Sequence, residues 1–173
     1  MSRVLVVYGS THGQTAKIAR FVAGELQGEA VEASGDPDPS RYDGVIVAAS
    51  VHIGDFQKNV RQWVAAHARS LEAKPTAFLA VCLGVLQAEP QVRRELEGIV
   101  EKFLARTGWR PSETKLVAGA VPYTRYNWFL RWMMKRIAAK AGGSTDTSRD
   151  HEYTDWADLA AFARRFGGVS SSS

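Results

Sequence analysis

The residues best equipped for chemistry in this chain stand together in YGSTHGQT, residues 8 to 15. Ser10, Thr11 and Thr15 supply hydroxyls, His12 an imidazole and Gln14 an amide, while Gly9 and Gly13 let the backbone come close to a ligand. An apolar run precedes the turn, and a helix-forming run, AKIARFVAGEL, follows it. Placed at the amino end of a helix, such a turn offers unpaired N–H groups and the positive end of the helix dipole to an anion, and a phosphate is the natural guest. The alternative is an N-cap, in which Ser10 or Thr11 satisfies the first helical amides. The pattern is neither GxGxxG nor GxxxxGK followed by Ser or Thr, and the loop has no lysine, so the dinucleotide and NTPase loops both lack their required residues.

Other chemistry is excluded by count and spacing. One cysteine, Cys82, rules out an internal disulfide and any multi-cysteine metal site. His12, His52, His67 and His151 show neither HxxxH nor HxH spacing, so no metal is expected. Cys82 reads as a small apolar residue at a strand end, and Trp63, His67, Trp109 and Trp156 read as packing residues.

The elements that position the turn follow from hydrophobic patterning. Four continuous apolar runs, VLVVY (4 to 8), GVIVAAS (44 to 50), TAFLAVCLG (76 to 84) and KLVAGAV (115 to 121), fit strands buried on both faces. A weaker strand fits near EAVEAS. Helical period marks residues 13 to 27, 56 to 72 and 89 to 106, and a last helix follows Thr154. This alternation predicts an α/β fold with right-handed crossovers and five strands. With 173 residues, 45% of them apolar, one domain over residues 1 to 168 is expected, with a disordered tail at 169 to 173. No window reaches the roughly 18 apolar residues of a spanning helix. The apolar run Val4 to Tyr8 is too short for a signal peptide, so a cytoplasmic chain is expected.

YGSTHGQTAKIA resembles the phosphate loop of flavodoxins, in which hydroxyls and amides hold the phosphate of FMN without a basic side chain. That resemblance implies a flavodoxin-like, doubly wound, five-stranded parallel sheet in the order 2-1-3-4-5, with helices on both faces and FMN as cofactor. It assigns Ser10, Thr11, His12, Gly13, Gln14 and Thr15 to the phosphate end. Ligands of open parallel sheets bind beyond the carboxyl ends of the strands. Flavodoxin-like proteins place the loops corresponding to ASVHIGDF and CLGVLQ around the isoalloxazine ring, so the resemblance implies Ser50, Val51, His52, Ile53 and Gly54 on one side of it and Leu83, Gly84 and Val85 on the other.

Residues 108 to 164 extend the likeness. WRP, the AGA strand end, YTRYNW, the basic Met-rich stretch, GGSTDT and YTDW stand in the order found in the flavodoxin-like, menaquinone-dependent protoporphyrinogen oxidases of bacterial haem synthesis, which this chain resembles over nearly its whole length. The resemblance implies oxidation of protoporphyrinogen IX to protoporphyrin IX in three two-electron steps, with menaquinone or another respiratory quinone as acceptor. The redox chemistry then belongs to the flavin, and no catalytic side chain is required. Two other readings share the fold: an electron-carrier flavodoxin working between protein partners, and an NAD(P)H:quinone reductase. Carriers of that kind are typically acidic, whereas this chain has a formal charge of +4.

The positive charge is concentrated. From Lys115 to Thr145 there is no acidic residue, while Lys115, Arg125, Arg131, Lys135, Arg136 and Lys140 are cationic. With residues 125 to 140 helical, Phe129, Leu130, Met133, Met134 and Ile137 fall on one arc and the cations, with Trp128 and Trp132, on the other. This insertion, about 122 to 150, has two readings: a face packed on the parent domain, or a peripheral contact with an anionic membrane. Tyr123, Arg125, Tyr126, Trp128, Arg131, Trp132, Lys135 and Arg136 are the expected substrate or membrane contacts, Arg125 suiting a propionate. Nucleic acid is not expected, because no nucleic-acid-binding motif accompanies the basic residues. Changing Arg131, Lys135 and Arg136 together to Gln weakens sedimentation with anionic vesicles and leaves FMN affinity unchanged if the segment meets a membrane; loss of FMN from that variant identifies it as packing.

Overall fold

The computed structural model describes residues 2–86, 89–121, 135–136, 138–140 and 151–171. The elements, in chain order, are β1 (Val4–Gly9), α1 (Gln14–Glu25), β2 (Glu29–Glu32), β3 (Gly44–His52), β4 (Asp55–Phe56), α2 (Lys58–Glu72), β5 (Thr76–Val81), α3 (Pro90–Thr107), β6 (Glu113–Val117), β7 (Ala120–Val121), β8 (His151–Glu152) and a C-terminal helix (Trp156–Ser170). Five strands pair in parallel in the order β2-β1-β3-β5-β6. Counting these five alone, the order is the expected 2-1-3-4-5. The short β4 folds back antiparallel on the end of β3, and β7 pairs with β8 in a separate antiparallel ribbon. Among the described residues no helix is long and apolar enough to cross a membrane.

The continuous apolar runs are explained by the two faces they serve. Val4, Val6 and Tyr8 of β1, with Ile46 and Ala48 of β3, join one core with Ile18, Ala19 and Val22 of α1 and Leu159, Phe162 and Phe166 of the C-terminal helix. The alternate residues Leu5, Val7, Val45 and Val47 join the other core with Val60, Trp63 and Val64 of α2 and Val100 and Phe103 of α3. Side chains alternate across a strand, so a strand covered on both faces has no polar position to offer. In the second core Phe78 stacks on Phe103 at 4.9 Å and meets Phe56 and Trp109 edge-on at 5.0 and 5.7 Å. The Trp109 indole donates to Thr76 Oγ1 at 3.2 Å, which satisfies both polar groups. Each such fully buried side chain contributes about 1.5–3 kcal/mol.

Four expectations change in detail. The run TAFLAVCLG is strand only to Val81, and Leu83–Leu86 form a 3-10 turn. The run KLVAGAV divides at Ala118 and Gly119: the Cys82 amide still bonds the Val117 carbonyl, at 2.9 Å, but Thr154 Oγ1 takes the Ala118 carbonyl and the Tyr153 amide takes that of Gly119. The chain thus changes partner from β5 to β8. Finally, the C-terminal helix continues through Ser170, beyond the boundary expected at 168. Phe166 and Ser170 pack over Gly44, and a Cβ on Gly167 would come within 2.9 Å of Leu26, so these contacts hold the last turn of the helix on the domain. Lys115 is also drawn into the domain, bonded to Asp158 at 2.6 Å, so its charge is not part of the insertion's excess.

Asp55 ties the hairpin between β3 and β4 to both neighbouring helices. Its carboxylate accepts from Arg61 of α2 at 2.5 Å, from Arg106 of α3 at 3.2 Å and from the Phe56 amide at 2.9 Å. Partial burial opposes its charge, but the Phe56 amide and the two guanidinium groups outweigh it and hold the carboxyl below its ordinary value. A depressed folded value means that this stabilisation is complete above the ordinary carboxylate range and is lost as pH falls through the folded value. Asp55→Asn is therefore expected to cost on the order of 1 kcal/mol at pH 7, and to flatten the loss of stability below about pH 4, in denaturant titrations from pH 7 to 3.

Candidate cofactor site

The parallel register brings three loops to one end of the sheet. Gly9 is level with Ala49 and Ser50 with Val81, so the loops leaving β1, β3 and β5 emerge side by side. At the first, β1 passes so close to α2 that a Cβ on Gly9 would stand 2.5 Å from Val60 Cγ2. Ser10 Oγ accepts the Gly13 amide at 3.0 Å, closing the turn, and Gly13 at φ 94° starts the helix. No side chain caps α1, and its first turn carries no acidic residue. Of the two sequence readings, the simple N-cap is not what forms: Ser10 braces the turn ahead of the helix. Thr11 is exposed, His12 half-buried, Gln14 half-buried and Thr15 buried in the first turn.

The second loop is joined to the first by a residue that sequence reasoning had treated only as part of a helix. Gln57 donates from Nε2 to Ser50 Oγ at 2.5 Å and to Thr11 Oγ1 at 3.5 Å, and its Oε1 accepts the Ser50 amide at 3.1 Å. Nothing in the string DFQKN marks this, beyond an amide side chain at a helix start where it can turn back. The rings of His12 and His52 lie 6.3 Å apart, edge to face, across the same gap. Val51 is half-buried and paired with Phe56, while His52, Ile53 and Gly54 are exposed. Ile53 and Gly54 turn the hairpin with φ of 49° and 73°. For a β-branched residue this backbone costs on the order of 1 kcal/mol or more, and here it holds an isoleucine side chain 96% exposed beside the site.

The third loop carries Leu83, Gly84 and Val85, all half-buried. Its bend is fixed by the Gly84 amide, which donates to Cys82 Sγ at 3.3 Å. Burial pushes the Cys82 thiol up, against the pull of that amide, so the group stays protonated at neutral pH and fits the apolar role. Gly84 and Val85 also line a cavity of about 610 Å³ that runs between α3 and β6, past Leu96, Val100, Leu104 and Leu116. The phosphate-type loop is not part of that cavity.

Of the expected substrate or membrane contacts, Tyr123, Arg125, Tyr126, Trp128, Arg131 and Trp132 lie outside the described residues. Lys135 and Arg136 belong to a short helical stretch and are exposed, while Ala138 on the same stretch is buried. The segment that follows the insertion returns to α1: Gln14 Nε2 donates to Thr154 Oγ1 at 2.9 Å, and Lys17 pairs with Glu152 at 2.5 Å.

Comparison with known proteins agrees with this geometry. The family model described as a flavodoxin domain matches residues 5–148. Among solved structures, oxidised flavodoxin 1 from Bacillus cereus superposes with a TM-score of 0.54, covering 95% of this chain and 97% of its own, at 18% identity. A protein of Escherichia coli strain K12 named protoporphyrinogen IX dehydrogenase (quinone) is 34% identical over 97% of this chain and 96% of its own length. A Leishmania major protein of the same name is 29% identical over 96% of this chain and 75% of its own. The chain thus belongs to the flavodoxin-domain family and, within it, to the family of the quinone-linked protoporphyrinogen IX dehydrogenases.

Proposed function

We infer that this chain is an FMN-dependent enzyme that oxidises protoporphyrinogen IX to protoporphyrin IX and passes the electrons to a quinone. The observation that carries the reading is that the likeness to quinone-linked dehydrogenases runs over nearly the whole chain, insertion included, and not over the phosphate-type loop alone. The chemistry of the donor set fits FMN. A phosphate dianion needs N–H and O–H donors and no competing anion. The start of α1 has no side-chain cap and no carboxylate in its first turn, and Ser10, Thr11 and Thr15 bring hydroxyls to it.

When bound, FMN supplies two-electron redox chemistry. The overall reaction removes six electrons and six protons from protoporphyrinogen IX and converts three quinones to quinols, so no side chain need act as a nucleophile. The protein's work is to hold and orient. Gln57 bonds Ser50 and reaches Thr11 at 3.5 Å, and so would help hold the hairpin and the phosphate loop in place around the cofactor. Ser50, Val51, His52, Ile53 and Gly54, with the exposed Ile53 at the hairpin tip, would hold one side of the ring, and Leu83, Gly84 and Val85 the other. The acceptor is a lipid-soluble quinone, menaquinone on our reading. The exposed Lys135 and Arg136 belong to a basic stretch suited to an anionic membrane surface, where such a quinone is met.

An anaerobic assay tests the function: FMN-loaded protein, protoporphyrinogen IX and a menaquinone analogue, followed by porphyrin fluorescence against an enzyme-free control. Porphyrin formation that needs both FMN and quinone is expected. Its absence, with FMN bound and reducible by a reductase, moves the protein to the electron-carrier class. For the site itself, Thr11→Ala and Thr15→Ala are each expected to weaken FMN on the order of 1 kcal/mol, about fivefold, while leaving riboflavin, which has no phosphate, unchanged. Equal FMN affinity in both variants and the parent chain would place the phosphate elsewhere.

A further inference from the structure

We propose that the segment re-entering the domain after the basic insertion positions the phosphate-loop helix α1 for FMN, with Thr154 as the principal positioning residue and Glu152 and Trp156 in support. The inference rests on the phosphate-loop reading above and adds to it residues 140 positions away in sequence.

Three contacts fall along one face of α1. Gln14, in its first turn, donates from Nε2 to Thr154 Oγ1 at 2.9 Å. One turn on, Lys17 bonds Glu152 at 2.5 Å, with its ammonium 5.0 Å over the Trp156 ring. One further turn on, Phe21 meets Trp156 edge to face at 4.9 Å. The spacings of three and four residues are those of neighbours on a helix surface, so the segment grips α1 along its length from the phosphate end.

The Thr154 hydroxyl has a fixed direction. It is 9% exposed and donates its one proton to the Ala118 carbonyl at 2.8 Å. A carbonyl only accepts, so the hydroxyl is left to accept, and the group of Gln14 that faces it must be the amide nitrogen. Gln14 is thereby oriented, and with it the first residue of the helix whose amides would meet the phosphate. Glu152 is held on its other oxygen by the Trp156 indole, at 2.5 Å. Partial burial opposes the Glu152 charge, yet the bonds from Lys17 and Trp156 keep its carboxyl below the ordinary value, so the ion pair is intact at neutral pH. Thr154 is itself anchored, since the next residue, Asp155, caps the C-terminal helix by accepting the Asp158 amide at 2.9 Å, and the preceding Tyr153 amide bonds Gly119. The same bonds work in both directions: whatever orders α1 at the phosphate end also strengthens the root of the insertion.

The test compares FMN with riboflavin by titrating flavin fluorescence into the full chain. A positioning role acting at the phosphate end weakens FMN and spares riboflavin. Thr154→Val, which keeps the shape and removes the hydroxyl, is expected to weaken FMN about fivefold and riboflavin less than about twofold, and Thr154→Ser to restore the parent values. Where Thr154→Val does not fold, Trp156→Phe, which keeps the ring packing and removes the donor to Glu152, is expected to weaken FMN about twofold to threefold, again sparing riboflavin. Thr15→Ala serves as the reference. If Thr15→Ala separates the two flavins and Thr154→Val does not, or weakens both equally, the proposal is overturned and the phosphate-loop reading stands. Thr11→Ala serves as the reference where Thr15→Ala does not separate the two flavins; if neither does, the phosphate-loop reading falls and the proposal falls with it.

Discussion

Everything in this molecule depends on a sheet whose three central strands are dry on both faces. Along β1, residues 44 to 49 of β3, and β5, only Tyr8 and Thr76 bring polar side-chain atoms, and both are bonded, to Arg20 and Trp109. Burying more would leave donors or acceptors unpaired at a cost of about 1–3 kcal/mol each. Polar chemistry is therefore expelled to the strand ends. Since parallel strands are level there, three loops from distant parts of the sequence open at one edge. The site follows from the core and is not an independent feature of it.

Close approach at that edge is what lets the loops act together. Gly9 has no space for a Cβ because α2 presses on β1 at Val60, and this contact brings the start of α2, with Gln57, within reach of both Thr11 and Ser50. The loops also carry costs that a chain built for stability alone would avoid. Helix α1 begins at Gly13 without a side-chain cap, though Ser10 and Thr11 stand beside it, and Ile53 adopts a left-handed backbone that Asn or Gly would accept freely. Asp55, with two arginines, offsets part of this by anchoring the strained hairpin to α2 and α3. Strain at the tip and firm anchorage at the base belong together: the second is the condition for the first.

The five parallel strands and four main helices were legible in the sequence because each is long and has one dominant pattern: an unbroken apolar run for a two-faced strand, a 3.6-residue period for a covering helix. The turn between β1 and α1 was legible from residue type, since glycines and small hydroxyl residues between an apolar run and a helical one mark a tight connection. What was not legible depends on partners distant in sequence. KLVAGAV looks like one strand, because nothing within it shows that Thr154 and Tyr153 claim the carbonyls of Ala118 and Gly119. Gln57 looks like helix surface until β1 and α2 are packed. The helix end beyond 168 is set by Phe166 and Ser170 packing over Gly44, which nothing near the C-terminus shows. Local propensity is overridden at each of these points by a tertiary contact.

The split of the last apolar run shows how the domain accommodates a basic insertion. A long excursion from a sheet edge lowers stability through the entropy of closing its ends, but that cost rises only slowly with length, so the ends matter more than the extent. Here the ends are closed by a two-residue ribbon, Ala120–Val121 with His151–Glu152, and by the Tyr153 and Thr154 bonds that follow it. A ribbon that short is marginal alone. Its stability must come from what it is fastened to, and that is α1, through Gln14, Lys17 and Phe21. Among the described residues, the ends of the insertion are thus fastened to α1. On the function proposed above, an enzyme passing electrons from a porphyrinogen to a quinone would gain from this arrangement, since the ends of its insertion are fastened to the helix whose first turn would meet the phosphate of FMN.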